Sequence, residues 1–333
     1  MKKSILIVGI CVVILSGLIM CIKNTTKEIG VVRLAGNDRL QTSYVVVDTL
    51  LETMNKKKFD HVIITSGSNF ADALSGSYLS ASKKAPVVLT LSSKEANEQT
   101  REYIKTVLKE NGTVYILGGT SAVVKSMETD FEGYNVKRVA GKDRLQTNLE
   151  ILKEVGVNNI TEILVCTAQD YADSLSASAT GQPLLLVSNK LTKEQKEFLS
   201  SLQGLKFTII GGKNAVSKAI EKELSVYGEV NRLAGENRVE TSVLVAQTYF
   251  KNAENAVITY GWNFPDGLCG SSLAHALQAP LLLTNSTKSM FEITANYTNE
   301  LNIHNGYVLG GSGLVSDEAA QTIFSITTLQ ESK

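Results

Sequence analysis

Six arginines and three aspartates recur at fixed places in this chain, and they are its best candidates for chemistry. Arg33, Arg138 and Arg232 open three related stretches: RLAGNDRLQTS, RVAGKDRLQTN and RLAGENRVETS. Arg39, Arg144 and Arg238 follow within the same stretches. A guanidinium is a planar fork of donors that matches a phosphate or carboxylate with two parallel hydrogen bonds. A second recurring stretch reads TSGSNFADAL, CTAQDYADSL and TYGWNFPDGL, and Asp72, Asp173 and Asp266 are its one unchanged acidic position. Arg39, Arg144 and Arg238 fall at a helix start, where a cation opposes the macrodipole. Two compatible readings answer that opposition. Either the arginines bridge to Asp72, Asp173 or Asp266, or they offer their forks to an extended anionic ligand.

The rest of these stretches reads as scaffolding. Asp38 with Gln41, Asp143 with Gln146 and Asn237 with Glu240 fit the N-cap and N3 pair of a capping box. The third copy swaps acid for amide and amide for acid. A catalytic carboxylate does not survive that exchange, whereas a cap does. Gly36, Gly141 and Gly235 supply the tight turn from strand to helix. Asn69, Asp170 and Asn263 read as caps of the next helix, with the unchanged aspartate three residues on as the capping partner. Phe70, Tyr171 and Phe264 read as core. Trp262, the only tryptophan, stands where the other copies have Ser68 and Gln169, so it is not a repeated feature. Paired glycines ending at Gly119, Gly212 and Gly311 match neither phosphate-loop fingerprint and read as close turns.

Catalytic constellations are missing. His61, His275 and His304 occupy unrelated positions, and there is no HExxH, GxSxG or CxxC. No catalytic residue, metal site or cofactor is expected. Cys166 and Cys269 lie at non-equivalent positions and read as small buried thiols.

The elements that position these residues are written three times. Each copy alternates short β-branched runs with helical periods, the pattern of parallel strands covered on both faces. The first copy predicts helices over 38–54, 70–82, 94–109 and 121–131. Units of about a hundred residues hold their own cores, unlike the roughly 20–50-residue units of solenoids. The expected fold is α/β, with three tandem Rossmann-like parallel-sheet modules over 30–135, 136–229 and 230–333. The links between modules carry no Pro/Ser-rich linker, so the units should pack on one another.

Charge excludes one partner class. The 333 residues carry zero formal net charge. The third unit is acidic, with four basic and eight acidic residues over 230–329. A nucleic-acid surface needs a basic stripe, and none is visible. Residues 1–29 hold Lys2 and Lys3 and then an uncharged apolar run over 4–22. Nineteen helical residues span about 28 Å, near the hydrocarbon thickness. That segment reads as a signal peptide or a membrane anchor, with export of all that follows. Cys21 adds a lipidation site as an alternative.

Taken together, the RLAGxDRxxTS opening, the NFADAL segment, the proline-led stretches at Pro86, Pro183 and Pro280 and the LGG turn resemble the cell wall binding repeat type 2 family of Gram-positive bacteria. The resemblance covers about 31–329, in all three copies. It implies Rossmann-type units in a pseudo-threefold ring that anchor exported proteins to the wall without a covalent bond. It implies an anionic secondary wall polymer as ligand and a wall-binding role for Pro86, Pro183 and Pro280. The sequence departs from the family at Leu40, Leu145 and Val239, where an aromatic is usual, at Asn237 for an acid, and at Val87 and Val88 after the proline. The resulting expectation is a non-enzymatic surface protein at the cell wall, held also by the membrane if the leader is kept. The rivals are a wall hydrolase or amidase, or its modifier subunit, and a self-assembling surface-layer component.

Overall fold

A computed structural model describes residues 30–156 and 160–332. The leader, with its apolar run over 4–22 and both Cys11 and Cys21, lies outside the described residues. Among those described, no helix is long and apolar enough to cross a membrane.

The first repeat contributes strands β1 (Val31–Leu34), β2 (Phe59–Ser66), β3 (Val87–Thr90) and β4 (Leu108–Leu117). The second contributes β5 (Asn135–Val139), β6 (Glu162–Thr167), β7 (Leu184–Val187) and β8 (Leu205–Ile210). The third contributes β9 (Gly228–Leu233), β10 (Asn255–Tyr260), β11 (Leu281–Thr284), β12 (Asn305–Leu309) and the short β13 (Gln330–Glu331). Helices fill the intervals, as alternating periods require. The first helix of each repeat runs over Arg39–Thr53, Arg144–Val155 and Arg238–Tyr249. The expected helix over 121–131 shrinks to Ser126–Thr129. Arg138 takes the Val123 carbonyl, which a longer helix would use as an acceptor.

Among the described residues all strand pairs are parallel, in three sheets of order β3-β2-β4-β5, β7-β6-β8-β9 and β11-β10-β12-β1-β13. The opening strand of each repeat therefore sits in the sheet of another. β5 completes the first sheet and β9 the second. β1 crosses to the third, with Val31 opposite Gly306 and Leu34 opposite Leu309. That pairing closes the chain into a ring of three.

The second helix of each repeat packs on the first helix of the next. Ala71–Ser75 meets Arg144–Val155, Ala172–Ser178 meets Arg238–Tyr249, and Pro265–Ala276 meets Arg39–Thr53. One apolar cluster runs through all three repeats, from Leu74 and Leu117 to Leu175, Leu186, Leu268 and Leu309. Two further clusters fill the outer layers of the second and third repeats. The arrangement is the expected α/β pseudo-threefold ring.

The outer strands β3, β7 and β11 would be exposed sheet edges, which invite aberrant pairing. Side chains occupy them instead. Leu89 N–H donates to Ser43 Oγ (3.3 Å), and Thr100 Oγ1 donates to Leu89 O (3.1 Å). Leu186 N–H donates to Asn148 Oδ1 (2.9 Å), and Gln195 Nε2 donates to Leu186 O (2.7 Å). Leu283 N–H donates to Ser242 Oγ (3.1 Å), and Thr294 Oγ1 donates to Leu283 O (3.2 Å). The last residue of each RLAG stretch is thus an edge guard.

Candidate functional site

The helix starts are built as the local spacing predicts. Asp38 accepts from the Leu40 and Gln41 amides, Asp143 from the Gln146 amide, and Asn237 from the Val239 and Glu240 amides. The N3 side chains reach one residue further back than a standard box: Asn37, Lys142 and Glu236 N–H donate to Gln41, Gln146 and Glu240. These caps place Arg39, Arg144 and Arg238 in the first helical turn, beside the carboxyl ends of the neighbouring strands.

The two sets of arginines have different lives. Arg33 is buried, and its fork donates to Gly310 O and Val315 O, both at 2.9 Å, and to Asp317 at 2.7 Å. Arg138 repeats the pattern on Gly118 O, Val123 O and Glu128, and Arg232 on Gly211 O, Val216 O and Glu221. Each stitches the opening strand of one repeat to the glycine loop and following helix of another. Their donors are directed inward.

Arg39, Arg144 and Arg238 each spend one N–H on a single backbone carbonyl, of Gly67 (2.7 Å), Ala168 (2.6 Å) and Gly261 (2.6 Å). Among the described residues, that carbonyl is the only hydrogen-bond acceptor Arg39 or Arg144 meets. Arg238 differs. It also donates to the Tyr171 hydroxyl (3.2 Å) and lies 3.7 Å from Asp170. Arg144 stacks over Phe70 at 5.3 Å and Arg238 over Tyr171 at 5.5 Å, each time on the preceding repeat's ring.

Those rings are a feature the sequence reading placed in the core. Phe70, Tyr171 and Phe264 are half-buried and meet one another edge to face, at 5.4 to 5.9 Å between centroids. One ring comes from each repeat, so they mark the pseudo-threefold axis, with the arginines around them. The signal available in the sequence was their common offset, two residues before the unchanged aspartate.

Asp72, Asp173 and Asp266 do not act as capping partners. Ala71 N–H and Ala172 N–H are taken by Asn69 and Asp170. The three carboxylates turn inward against the first glycine of each pair. A Cβ on Gly118, Gly211 or Gly310 would fall on Oδ2 of Asp72, Asp173 or Asp266. Each aspartate faces the arginine of the next repeat in the ring: Arg144 for Asp72, Arg238 for Asp173 and Arg39 for Asp266. No direct ion pair joins these couples among the described residues, so the expected bridge is a facing pair across a junction.

Burial raises all three carboxyls above their usual range, and the facing arginines pull the other way. For Asp173 burial and then the nearby Asp170 charge push it up to about 6. An acid whose folded pKa is raised contributes stability that is complete below its unfolded pKa, about 3.9, and lost as pH rises through the folded value. Asp173→Asn is therefore expected to be more stable than the parent by about 1–2 kcal/mol at pH 7.5. The advantage should shrink to nothing near pH 4. Urea midpoints across that range check it, and a pH-independent difference contradicts it.

A family model for cell wall binding domain 2 (CWB2) matches residues 33–128, 138–221 and 232–320, one segment per repeat. The chain belongs to the cell wall binding domain 2 family. Each CWB2 match begins at one of the stitching arginines. N-acetylmuramoyl-L-alanine amidase LytC of Bacillus subtilis (strain 168) is 26% identical, over 97% of this chain and 63% of that protein. The Amidase enhancer of the same organism is 26% identical over 87% of this chain and 40% of that protein. The chain thus spans less than two thirds of either relative. Cwp8 from Clostridium difficile superposes with a TM-score of 0.78 at 28% identity, over 91% of this chain and 53% of that one. Cwp6 from Clostridium difficile shares the fold, with a TM-score of 0.77 at 23% identity, over 92% of this chain and 50% of that one. Cell wall binding at the cell surface is the role this CWB2 membership supports.

Each CWB2 proline-led stretch ends beside the arginine rim, where Thr90, Val187 and Thr284 accept from the Gly67, Ala168 and Gly261 amides, but its proline stands at the other end of the strand. Pro86, Pro183 and Pro280 are buried, and their carbonyls accept from the Ile63, Leu164 and Val257 amides. They lead into the guarded edge strands, whose four residues are all buried. The three prolines are therefore separated from Arg39, Arg144 and Arg238 rather than brought together with them. A cavity of about 930 Å³ opens at the opposite ends of the helices, lined by Lys56, Lys84, Lys251 and His275, and includes none of the expected site residues. Cys166 and Cys269 are free and buried. Among the described residues no group of His, Cys, Asp or Glu is placed to hold a metal ion.

Proposed function

We propose that this CWB2 ring holds to the cell wall without a covalent bond by gripping an anionic wall polymer on the face around its pseudo-threefold axis. The observation that carries the reading is the unspent fork on Arg39 and Arg144, each at a helix start and each with one carbonyl partner. A phosphate or carboxylate of the polymer completes those donors as charge-assisted hydrogen bonds. Arg238 is the third contact, shared with Asp170. Three sites on one rigid body engage successive polymer units, so effective concentration raises avidity beyond any single site.

On this reading Asp72, Asp173 and Asp266 orient the arginines across the junctions. Arg33, Arg138 and Arg232 hold the ring together, and Pro86, Pro183 and Pro280 shape it from inside. The chain acts as a binder rather than a hydrolase. It works outside the cell, with residues 4–22 as the export signal or the membrane anchor.

The test is sedimentation of the full chain with purified wall sacculi, before and after the non-peptidoglycan polymer is stripped. Each lost charge-assisted contact is worth about 1.5–3 kcal/mol, roughly tenfold or more in affinity. Arg39→Ala with Arg144→Ala should thus reduce retention by about a hundredfold and weaken its salt dependence. Unchanged retention of the folded double variant overturns the arginine site. Full retention on stripped sacculi overturns the polymer.

A further inference from the structure

The three junctions of the ring are not chemically equal, and the difference centres on Trp262. At the junctions served by Arg39 and Arg144, the preceding repeat presents Asn263 or Asn69, and the arginine's own repeat presents Ser68 or Gln169. At the junction served by Arg238, those places hold Asp170 and Trp262. Arg238 is flanked by two rings, Tyr171 at 5.5 Å and Trp262 at 5.4 Å. Tyr260 props the indole from the side, at 6.0 Å between centroids. The indole remains 40% exposed, one of two large hydrophobic side chains in the described residues that do. Its N–H meets no acceptor among those residues.

Electrostatics make this junction the least favourable of the three for an anion. Arg238 lies 3.7 Å from Asp170, whose side chain is about half exposed, where the other two junctions carry Asn69 or Asn263. An incoming phosphate would meet the Asp170 carboxylate, which neither of the other junctions presents. An uncharged sugar is not repelled by it. A pyranose has an apolar face of C–H groups that lies flat on an indole, and hydroxyls around its rim. The Asp170 carboxylate accepts from such hydroxyls, the free indole N–H donates to one, and the Tyr171 hydroxyl does either. We propose that the junction of the second and third repeats is a stacking subsite for a neutral pyranose unit, distinct from the two anion-receiving junctions. The inference rests on the polymer-binding reading and assigns a division of labour within it: Arg39 and Arg144 hold charge, and Trp262 with Asp170 reads sugar.

Trp262 is the only tryptophan in the chain, so its emission reports this junction alone. The experiment titrates the full chain with wall glycan freed of phosphate by hydrofluoric acid, and follows binding by calorimetry beside Trp262 fluorescence. The expected result is a saturable shift in emission that persists in the Arg39→Ala, Arg144→Ala variant. Trp262→Ala and Asp170→Asn, with circular dichroism unchanged, should each lose at least tenfold in affinity for this neutral glycan. Glycan binding with silent emission overturns the subsite, as does a Trp262→Ala variant that binds normally or a parent that does not bind the glycan. Retention on intact sacculi tests the parent reading separately. A chain that walls retain while Trp262 stays silent keeps that reading and loses the subsite. A responsive Trp262 in a chain that walls do not retain does the reverse.

Discussion

Alanine at Gly211 is expected to destabilise the ring by about 3 kcal/mol or more, while alanine one residue on, at Gly212, is tolerated. The two glycines are adjacent and look alike in the sequence. Gly211 has φ +112°, a conformation that side chains avoid, and a Cβ there meets the Asp173 carboxylate. Gly212 has ordinary φ, and nothing lies within 4 Å of its built Cβ. Strain at such a φ costs of the order of 1–3 kcal/mol alone. The displaced carboxylate adds to it, because Asp173 Oδ2 must leave the place that the new Cβ takes. Gly212→Ala removes freedom from the unfolded chain and should be neutral or stabilising by up to about 1 kcal/mol. Urea denaturation of the two variants side by side is the check, and equal midpoints contradict the account. The same contrast is expected between Gly118 and Gly119 and between Gly310 and Gly311, which repeat the geometry.

Arg33→Ala carries the other large effect, about 3–5 kcal/mol of destabilisation. Arg33 is among the largest fully buried side chains, 2% exposed. Truncation leaves a cavity and two buried carbonyls, of Gly310 and Val315, without their donor. Each unsatisfied group costs about 1–3 kcal/mol. Asp317 contributes little to the penalty, since it is more than half exposed and regains water. Lysine does not rescue the site, because one ammonium cannot reproduce the planar fork. The location makes the loss more than local. Arg33 pins the first strand to the last repeat, so the variant should also open the seam between β1 and β12. Limited proteolysis near residues 30–38 reports that opening. A variant with the parent's midpoint and the parent's resistance to cleavage contradicts the account. Arg138→Ala should have a smaller effect, since its guanidinium keeps partial contact with water and its strand is held at both ends by the chain.

Much of this was legible without coordinates. The alternation of β-branched runs and helical periods specified parallel sheets because each period reports which faces are covered. The caps at Asp38, Asp143 and Asn237 were legible because the donors they satisfy lie within one turn of the residue itself. The family resemblance carried by the repeated motifs made the ring an expectation, and Cys166 and Cys269 read as buried thiols. The aspartates show where local reading stops. Three residues after a cap, Asp72 fits a capping box, yet its carboxylate faces Gly118 and the Arg144 of another repeat. Sequence spacing describes partners along the chain and is blind to those across a junction.

The sequence by itself determined the three modules, their α/β character, the helix starts that aim Arg39, Arg144 and Arg238, and the family. These depend on contacts a few residues long, which periodicity records. Only the tertiary structure decided which arginines are free. Arg33 and Arg39 are equal donors on paper, and Arg33 finds its carbonyl acceptor 277 residues away, through a strand lent to the last sheet. It alone decided that Pro86, Pro183 and Pro280 are buried behind guarded edges, and that Phe70, Tyr171 and Phe264 gather on one axis. The physical reason is common to all of these. Ring closure brings together surfaces that no single repeat possesses, so what they bury or leave open is a property of the assembled three.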